Sequence, residues 1–521
     1  MRFASGSLAV VLLCPLFVLT AFAQDVTGTW EVSQDVEGAR GLALTYLLAQ
    51  NADQIEGVWK RQDLDDITFH GTASGNVVTF AVSFPILKGS NRGRSVTLAH
   101  TGIIDGDLMS GTFRVALEDQ AALGPARVWS ARRVQTSDPE QRQGATGSSG
   151  SAWRVSALPS EQLGERFEAA LNRLQESEGF PGAVAAFQLG DGRSAVVASG
   201  YADQEAQRPM TPDSRMLIGS IGKTFVAAVA LDLEQEGKLN LKDPISTWLG
   251  DEEWFSRLPN AEHITLRMLL NHTSGLIDHA HDPRFVQAVR EKAEHPSTNR
   301  DFVLAPRELV EFVLDREPLF AAGAGYNYTD TGYILAGLII EKAANSTYYE
   351  QLQARFLDPL SLQRTDPSDQ RDLAGLVPGY MDPGNPLGLP EKTMEGGELV
   401  FSPATEWTGG GLASNPKDLV NWVTVLYEGT AMVGPYVQDL LGSSWKGRRG
   451  RTRYGLGVSI SESELGTTYG HDGWFPGYRS KVTYFPAYGI AAAIQVNTDV
   501  EVDLGSYIFE VIGVLLEDER E

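Results

Sequence analysis

The stretch from Val134 to Ala152 is rich in Ser, Gly, Gln and Asp and has no apolar periodicity, so it divides the chain into two parts expected to fold around separate cores. A single hydrophobic core stops growing near ~250 to 300 residues, and 521 residues exceed that. The expected organisation is a small all-β domain over 24–133, a flexible linker over 134–155 and a larger α+β domain over 156–521.

Residues 1–23 carry Arg2, an apolar run from Leu8 to Leu19, then Ala21, Phe22 and Ala23 before Gln24. Charged, apolar and small residues in that order read as a cleavable signal peptide, too short to persist as a spanning helix. The expectation is an exported protein, periplasmic or extracellular, with no membrane anchor after cleavage. The single cysteine, Cys14, lies in this segment behind Leu13, where a lipoprotein signal wants a small residue. The mature chain is therefore expected to lack disulfides, a thiolate nucleophile and cysteine metal ligands.

The formal charge of −24, from 67 acidic and 43 basic residues, repels a phosphate backbone, so nucleic acid is not an expected partner. Lys446, Arg448, Arg449, Arg451 and Arg453 are interleaved with glycines and read as a solvated loop. From Val26 to about Arg133 short alternating runs, such as Gly28 to Val32, Val77 to Val82, Val96 to Leu98 and Gly111 to Val115, are separated by Asn, Asp and Gly turns. They predict an antiparallel meander or small barrel without a catalytic constellation. A carbohydrate, a lipid or a protein remains open as its ligand.

Beyond the linker, Gly182 to Phe187 and Ala195 to Ala198 flank Gly190-Asp191-Gly192, a hairpin signal. Spacing near 3.6 predicts helices over Thr224 to Glu236, Thr331 to Ala344 and Asp418 to Tyr427. Strands are expected at Tyr454 to Ile460, Ser480 to Phe485 and Ile490 to Val496, with a closing helix at Ile508 to Leu516. Strands at both ends with helices between them imply one antiparallel sheet with flanking helices.

Ser-x-x-Lys occurs three times, at Ser220 to Lys223, Ser414 to Lys417 and Ser443 to Lys446. Only Ser220 opens an apolar helix, where i, i+3 spacing sets the amine beside the hydroxyl and the helix N-terminus favours charge developing on the serine oxygen. Ser443 runs into Gly447-Arg448-Arg449-Gly450, and Ser414 before Asn415-Pro416 reads as an N-cap. A serine nucleophile needs a base within hydrogen-bond reach. Downstream lie Tyr328-Thr329-Asp330 and His471-Asp472-Gly473-Trp474. Ser220-Ile221-Gly222-Lys223 followed by these two segments resembles the ordered motifs Ser-x-x-Lys, Tyr-x-Asn and Lys-Thr-Gly or His-x-Gly of the serine β-lactamase and penicillin-binding-protein superfamily. Ile264 to Leu276 and Gly409 to Ser414 are similar to its class C β-lactamase-like branch.

The resemblance spans roughly residues 175 to 500 and implies a β-lactamase/transpeptidase-like catalytic domain acting without a metal or cofactor. It implies Ser220 as nucleophile, Lys223 and Tyr328 sharing the proton transfers, and the backbone N–H groups of Ser220 and Trp474 as the oxyanion hole. Asp330, His471 and Gly473 would contact the substrate. As bases, Lys223 and Tyr328 both require lowered pKa values. Two departures matter. Asp330 replaces the usual Asn and would hold Lys223 as an ammonium, moving the proton transfer toward Tyr328. His471 replaces Lys and would grip a substrate carboxylate less firmly, which disfavours β-lactams.

The implied activity is hydrolysis of an ester or a D-amino-acid peptide, with a non-turnover cell-wall or β-lactam binder and a β-lactamase as alternatives. Trp474 and Phe475 either narrow the site or pack on the sheet. Tyr380-Met381-Asp382 is a rival second motif in a turn, and His272 reads as a turn brace. His279 and His281 with Asp278 and Asp282 lack a third ligand at regular spacing, so no metal is expected. No Gly-x-Ser-x-Gly elbow is present.

Overall fold

The computed structural model describes residues 26–34, 44–52, 54–61, 67–74, 77–85, 95–105, 108–117, 123–133, 153–293, 300–442, 445–446, 452–463, 465–500 and 502–518. The export-signal reading, Cys14, Ser443 and the linker before Trp153 lie outside these residues. So does the basic stretch between Lys446 and Thr452. The chain forms two compact units, up to Gln135 and from Thr136.

The first unit is a closed antiparallel barrel of eight strands, β1 Gly28–Gln34, β2 Leu44–Asn51, β3 Gln54–Arg61, β4 Ile67–Ser74, β5 Val77–Pro85, β6 Ser95–Asp105, β7 Leu108–Leu117 and β8 Leu123–Arg133, with β1 pairing to both β2 and β8. Closure removes every sheet edge. Trp30, Tyr46, Trp59, Phe69 and Phe80 are buried inside it. His100 joins them, bonded to Tyr46 Oη at 3.0 Å, and burial lowers its pKa to about 3.

The second unit is built on a nine-stranded antiparallel sheet. A short strand β9 (Trp153–Val155) leads into helix α1 (Ser160–Glu178), whose buried Leu163, Phe167, Ala170, Leu171 and Leu174 form one stripe. The hairpin is β10 (Gly182–Leu189) and β11 (Ser194–Asp203), and β10 also pairs with the strand Ile490–Val496. The sheet then runs outward through Tyr478–Phe485, Gly466–Phe475 and Ser459–Ser463. Strands from the two chain ends thus meet at its centre, and the helices α2 (Gly222–Gln235), α3 (Asp330–Ala344) and α4 (Pro416–Tyr427) come from the chain between.

Four expectations need correction. The run Tyr454 to Ile460 is two strands, Thr452–Tyr454 and Ser459–Ser463, interrupted where Gly457 takes φ +67°. The closing helix is Leu504–Gly513, capped by Asp503 accepting from Ser506 N at 3.1 Å, and Leu516–Asp518 returns as a strand against β9. That pairing takes Trp153 to Val155 out of the linker. The basic stretch starts and ends in paired strands, Trp445–Lys446 and Thr452–Tyr454.

Candidate active site

Strand Met216–Leu217 pairs with Leu412–Ser414 and delivers the chain into a tight turn, Gly219–Ile221, from which α2 continues. Ser220 therefore sits just ahead of the helix rather than in its first turn, and it is partly exposed. Helix α2 is buried on nearly all sides, as its apolar sequence requires. Lys223 points from it toward the turn, fully buried. Its Nζ donates to Ser220 Oγ at 2.9 Å and to Gly409 O, and lies 2.5 Å from Asp330 Oδ1. Ser220 Oγ and Gly409 O each accept one ammonium proton, and Asp330 Oδ1 supplies the counter-charge without a well-formed hydrogen bond.

The strand Gly466–Phe475 passes against this turn because neither has a side chain at the crossing. A Cβ on Gly473 would lie 1.9 Å from Ile218 O, and one on Gly219, which has φ +49°, would lie 2.2 Å from Trp474 O. The close approach sets the Trp474 backbone beside Ser220, the arrangement an oxyanion hole needs. Gly473, expected at the substrate, contacts Ile218 instead and acts as the spacer.

Asp330 is the first residue of α3, after Thr329 caps the helix by accepting from Thr331 N at 3.2 Å. A helix N-terminus favours the carboxylate. Tyr328 precedes the cap, with Lys223 Nζ 5.1 Å from its ring centre. The Tyr328 hydroxyl is buried without a well-formed hydrogen bond. Ser220 and Lys223 are nevertheless close enough to favour its ionised form.

The Lys223 pKa moves as Asp330 implied, and the Tyr328 pKa moves opposite to the lowered value expected of a base. Burial works against the Lys223 charge, but Asp330 first, then Tyr328 and Glu406, outweigh it and raise the value. Burial pushes Tyr328 up to about 12, with Asp330 adding to the rise and Lys223 opposing it. Resting Lys223 is thus an ammonium and resting Tyr328 a phenol.

His471 is buried beneath the site. Its Nδ1 donates to Asp472 O at 2.6 Å, which leaves Nε2 to accept from Tyr454 Oη at 2.7 Å. Both nitrogens are occupied within the protein, so the expected grip on substrate has no atom to carry it. Burial, then Lys223, lowers the His471 pKa to about 4, and the ring is neutral near pH 7. Asp472 faces outward and pairs with Lys481 at 2.5 Å.

His272 is more central than a turn brace. It is fully buried at φ +60°, accepts from Thr329 N at 3.2 Å and packs 4.1 Å from the Tyr328 ring. The helix cap beyond Ser414 is Asn415, accepting from Asp418 N, while Ser414 Oγ bonds Thr365 at 2.8 Å. Tyr380 bonds Glu205 and Gln204 and takes no part in the Ser220 contacts. His279 and His281 both approach Asp278, at 3.9 and 2.9 Å, while His279 also bonds Thr331 and Asp282 is taken up by Arg284 and Arg316. Among the described residues no group of three or more such ligands is placed to hold a metal.

Trp474 and Phe475 divide their roles. Phe475 is buried and stacks on Phe401 at 6.0 Å, whereas Trp474 is 48% exposed. Sequence reasoning missed Glu406, which lies three residues before Gly409, because a partly buried carboxyl has no signature in spacing.

The profile of the Beta-lactamase family matches residues 167–514. The chain belongs to this family. It is 25% identical over 318 residues to a penicillin-binding protein of Bacillus subtilis (strain 168), covering 58% of this chain and 65% of that protein. It is 26% identical over 217 residues to a teichoic acid D-alanine hydrolase of Staphylococcus aureus, covering 40% of this chain and 47% of the relative. The chain thus spans less than two thirds of the length of these curated relatives. Among solved structures, a D-stereospecific amidohydrolase from Streptomyces sp. superposes with a TM-score of 0.58 at 27% identity, covering 68% of this chain and 98% of that one. Among the described residues of this β-lactamase family member, no helix is long and apolar enough to cross a membrane.

Proposed function

We propose that this protein is a serine hydrolase that cleaves esters or amides of D-amino acids through an acyl-enzyme on Ser220. The observation that carries the reading is the contact of Lys223 Nζ with Ser220 Oγ at 2.9 Å, with Tyr328 alongside. Because Lys223 donates to Oγ, the serine proton is free to leave toward Tyr328. A phenol can accept it only while giving up its own, so the step is a relay. Serine oxygen bonds to the carbonyl carbon, its proton passes to Tyr328 Oη, and the phenol proton goes to the leaving oxygen or nitrogen. Deacylation reverses the relay, with water in place of the leaving group. The Ser220 and Trp474 N–H groups would hold the oxyanion.

The substrate class rests on charge and on relatives. His471 is neutral and Lys481 is occupied by Asp472, so the third motif offers a substrate carboxylate no free cation. That weighs against β-lactams and peptides bound by a terminal carboxylate. The names of the relatives, a D-alanine hydrolase and a D-stereospecific amidohydrolase, point to D-aminoacyl groups. Export through the segment 1–23 belongs to the same proposal, and fractionation of expressing cells tests it.

The deciding experiment is a panel of p-nitrophenyl esters, D-alanyl amides and peptides, and β-lactams on the wild type and Ser220→Ala. Turnover of D-aminoacyl substrates, lost in the variant, supports the reading. Full activity in Ser220→Ala overturns it.

A further inference from the structure

Glu406 stands between two single-turn helices, Pro403–Thr405 and Trp407–Gly409, and the second ends on the carbonyl that Lys223 holds. Trp407 takes φ +40°, a costly conformation for a bulky residue, which persists only where surrounding packing imposes it. Here the packing is visible. The Trp407 ring reaches to within 2.7 Å of where a Cβ on Gly337 would stand, so the segment is clamped to α3, the helix that begins with Asp330. From the point where a Cβ on Gly409 would stand, Glu406 Oε1 lies 3.3 Å away and Asp330 Cγ 3.8 Å. Two carboxyls therefore flank the residue whose carbonyl binds the lysine, and among the described residues one cation, Lys223, serves them.

We propose that Glu406 is a positioning residue of the active site, a second carboxyl that carries a proton in the resting enzyme and so sets the net charge around Lys223 and Asp330. Two carboxylates sharing one buried cation cannot both ionise cheaply, and Asp330 holds the direct contact. The charged and titratable groups facing Glu406 are Lys223 from α2, Asp330 from α3, Asp278 from the cap of the turn His279–His281, and Tyr349 from the helix Tyr348–Leu352. Burial pushes Glu406 up to about 8, Asp330 and Asp278 add to the rise, and Lys223 opposes it. Below that pH the Lys223 charge is balanced by Asp330 alone. Above it a further negative charge appears, and building negative charge on the Ser220 oxygen becomes harder.

This inference rests on Ser220 being the nucleophile, and the test separates the two. The rate of Ser220 labelling by a neutral fluorophosphonate is measured from pH 6 to 10 in the wild type, Glu406→Gln and Asp330→Asn. The wild-type rate is expected to fall roughly three- to tenfold through pH 8. Glu406→Gln, which mimics the protonated acid, should lose that step whatever its plateau rate, and Asp330→Asn should move it to lower pH. If Glu406→Gln does not fold, the Asp330→Asn displacement still decides. A wild type that labels without a step near pH 8 overturns the Glu406 proposal, as does a step that survives in Glu406→Gln or stays in place in Asp330→Asn. Failure of the wild type to label at Ser220 overturns the nucleophile assignment instead.

Discussion

Lys223 Nζ lies 2.5 Å from Asp330 Oδ1, so the lysine of the nucleophile motif is an ammonium with its own counterion rather than a free amine. In the proposed mechanism this contact leaves the proton transfer to Tyr328. Removing one partner of a buried pair leaves the other charge uncompensated, at a cost of ~3–5 kcal/mol. Asp330→Asn keeps a carbonyl acceptor and is expected near the lower figure, about 3 kcal/mol. The sign follows from the raised lysine. Its folded value exceeds the ordinary 10.5, so the contribution is complete below pH 10.5 and fades as the pH rises through the folded value. Above about pH 9, where Glu406 is ionised in both proteins, denaturant melts of wild type and variant should differ by a constant amount, and they converge only in strong alkali.

Tyr328→Phe separates chemistry from stability. The hydroxyl makes no well-formed hydrogen bond, so its loss leaves no partner stranded, and stability should change by less than about 1 kcal/mol. The relay, by contrast, loses its only carrier. The expected fall in kcat is ~10²–10⁴-fold, with KM little altered. Equal kcat values for the two proteins on a p-nitrophenyl ester would exclude the relay.

The contact of Ser220 with Lys223 was legible in the sequence because it is local. An i, i+3 spacing at a helix start needs no tertiary knowledge, and the ordered Tyr328 and His471 segments singled it out among three copies. The α+β sheet was legible for a similar reason, since strand and helix periods are written along the chain. What was not legible depends on burial. Nothing in Tyr-x-Asp spacing says that Tyr328 shifts upward, because the shift comes from the shell around it. Nothing in His-x-Gly says that both His471 nitrogens are used, because Tyr454 arrives from a separate strand. The strand Trp153–Val155 was read as linker because three residues have no pattern until Leu516–Asp518 pairs with them.

His471 should make the catalytic unit acid-sensitive. Its pKa is lowered from 6.5 to about 4, so the unfolded chain binds the proton first. The stabilisation is complete above pH 6.5 and is lost as the pH falls from there toward 4. With ~1.4 kcal/mol per unit, the loss amounts to about 3 kcal/mol. His471→Gln should reduce the loss between pH 6.5 and 4 by about 3 kcal/mol and leave the part that the buried His272 and His279 contribute, and urea melts across that range check it.

Trp474 offers an indole to solvent beside the Ser220 turn, 48% exposed, so its removal should disturb substrate more than fold. Trp474→Ala is expected to raise KM for aromatic D-aminoacyl esters about tenfold, the loss of ~1–1.5 kcal/mol of aromatic contact. Acetyl esters, too small to reach the ring, should keep their KM. A uniform change across both substrates would instead mean that the backbone of the oxyanion hole had moved.

Gly473→Ala tests that backbone directly. The new Cβ would stand 1.9 Å from Ile218 O, a backbone atom with no rotamer to move away, so the strand and the Ser220 turn must separate. An oxyanion donor displaced in this way costs ~10²–10³-fold in kcat, and a shift of about 1 Å suffices. The side chains of Ser220, Lys223 and Tyr328 all remain, so loss of rate with an unchanged pH profile would locate the defect in spacing rather than in proton transfer. Full kcat in Gly473→Ala would show that the oxyanion donors lie elsewhere.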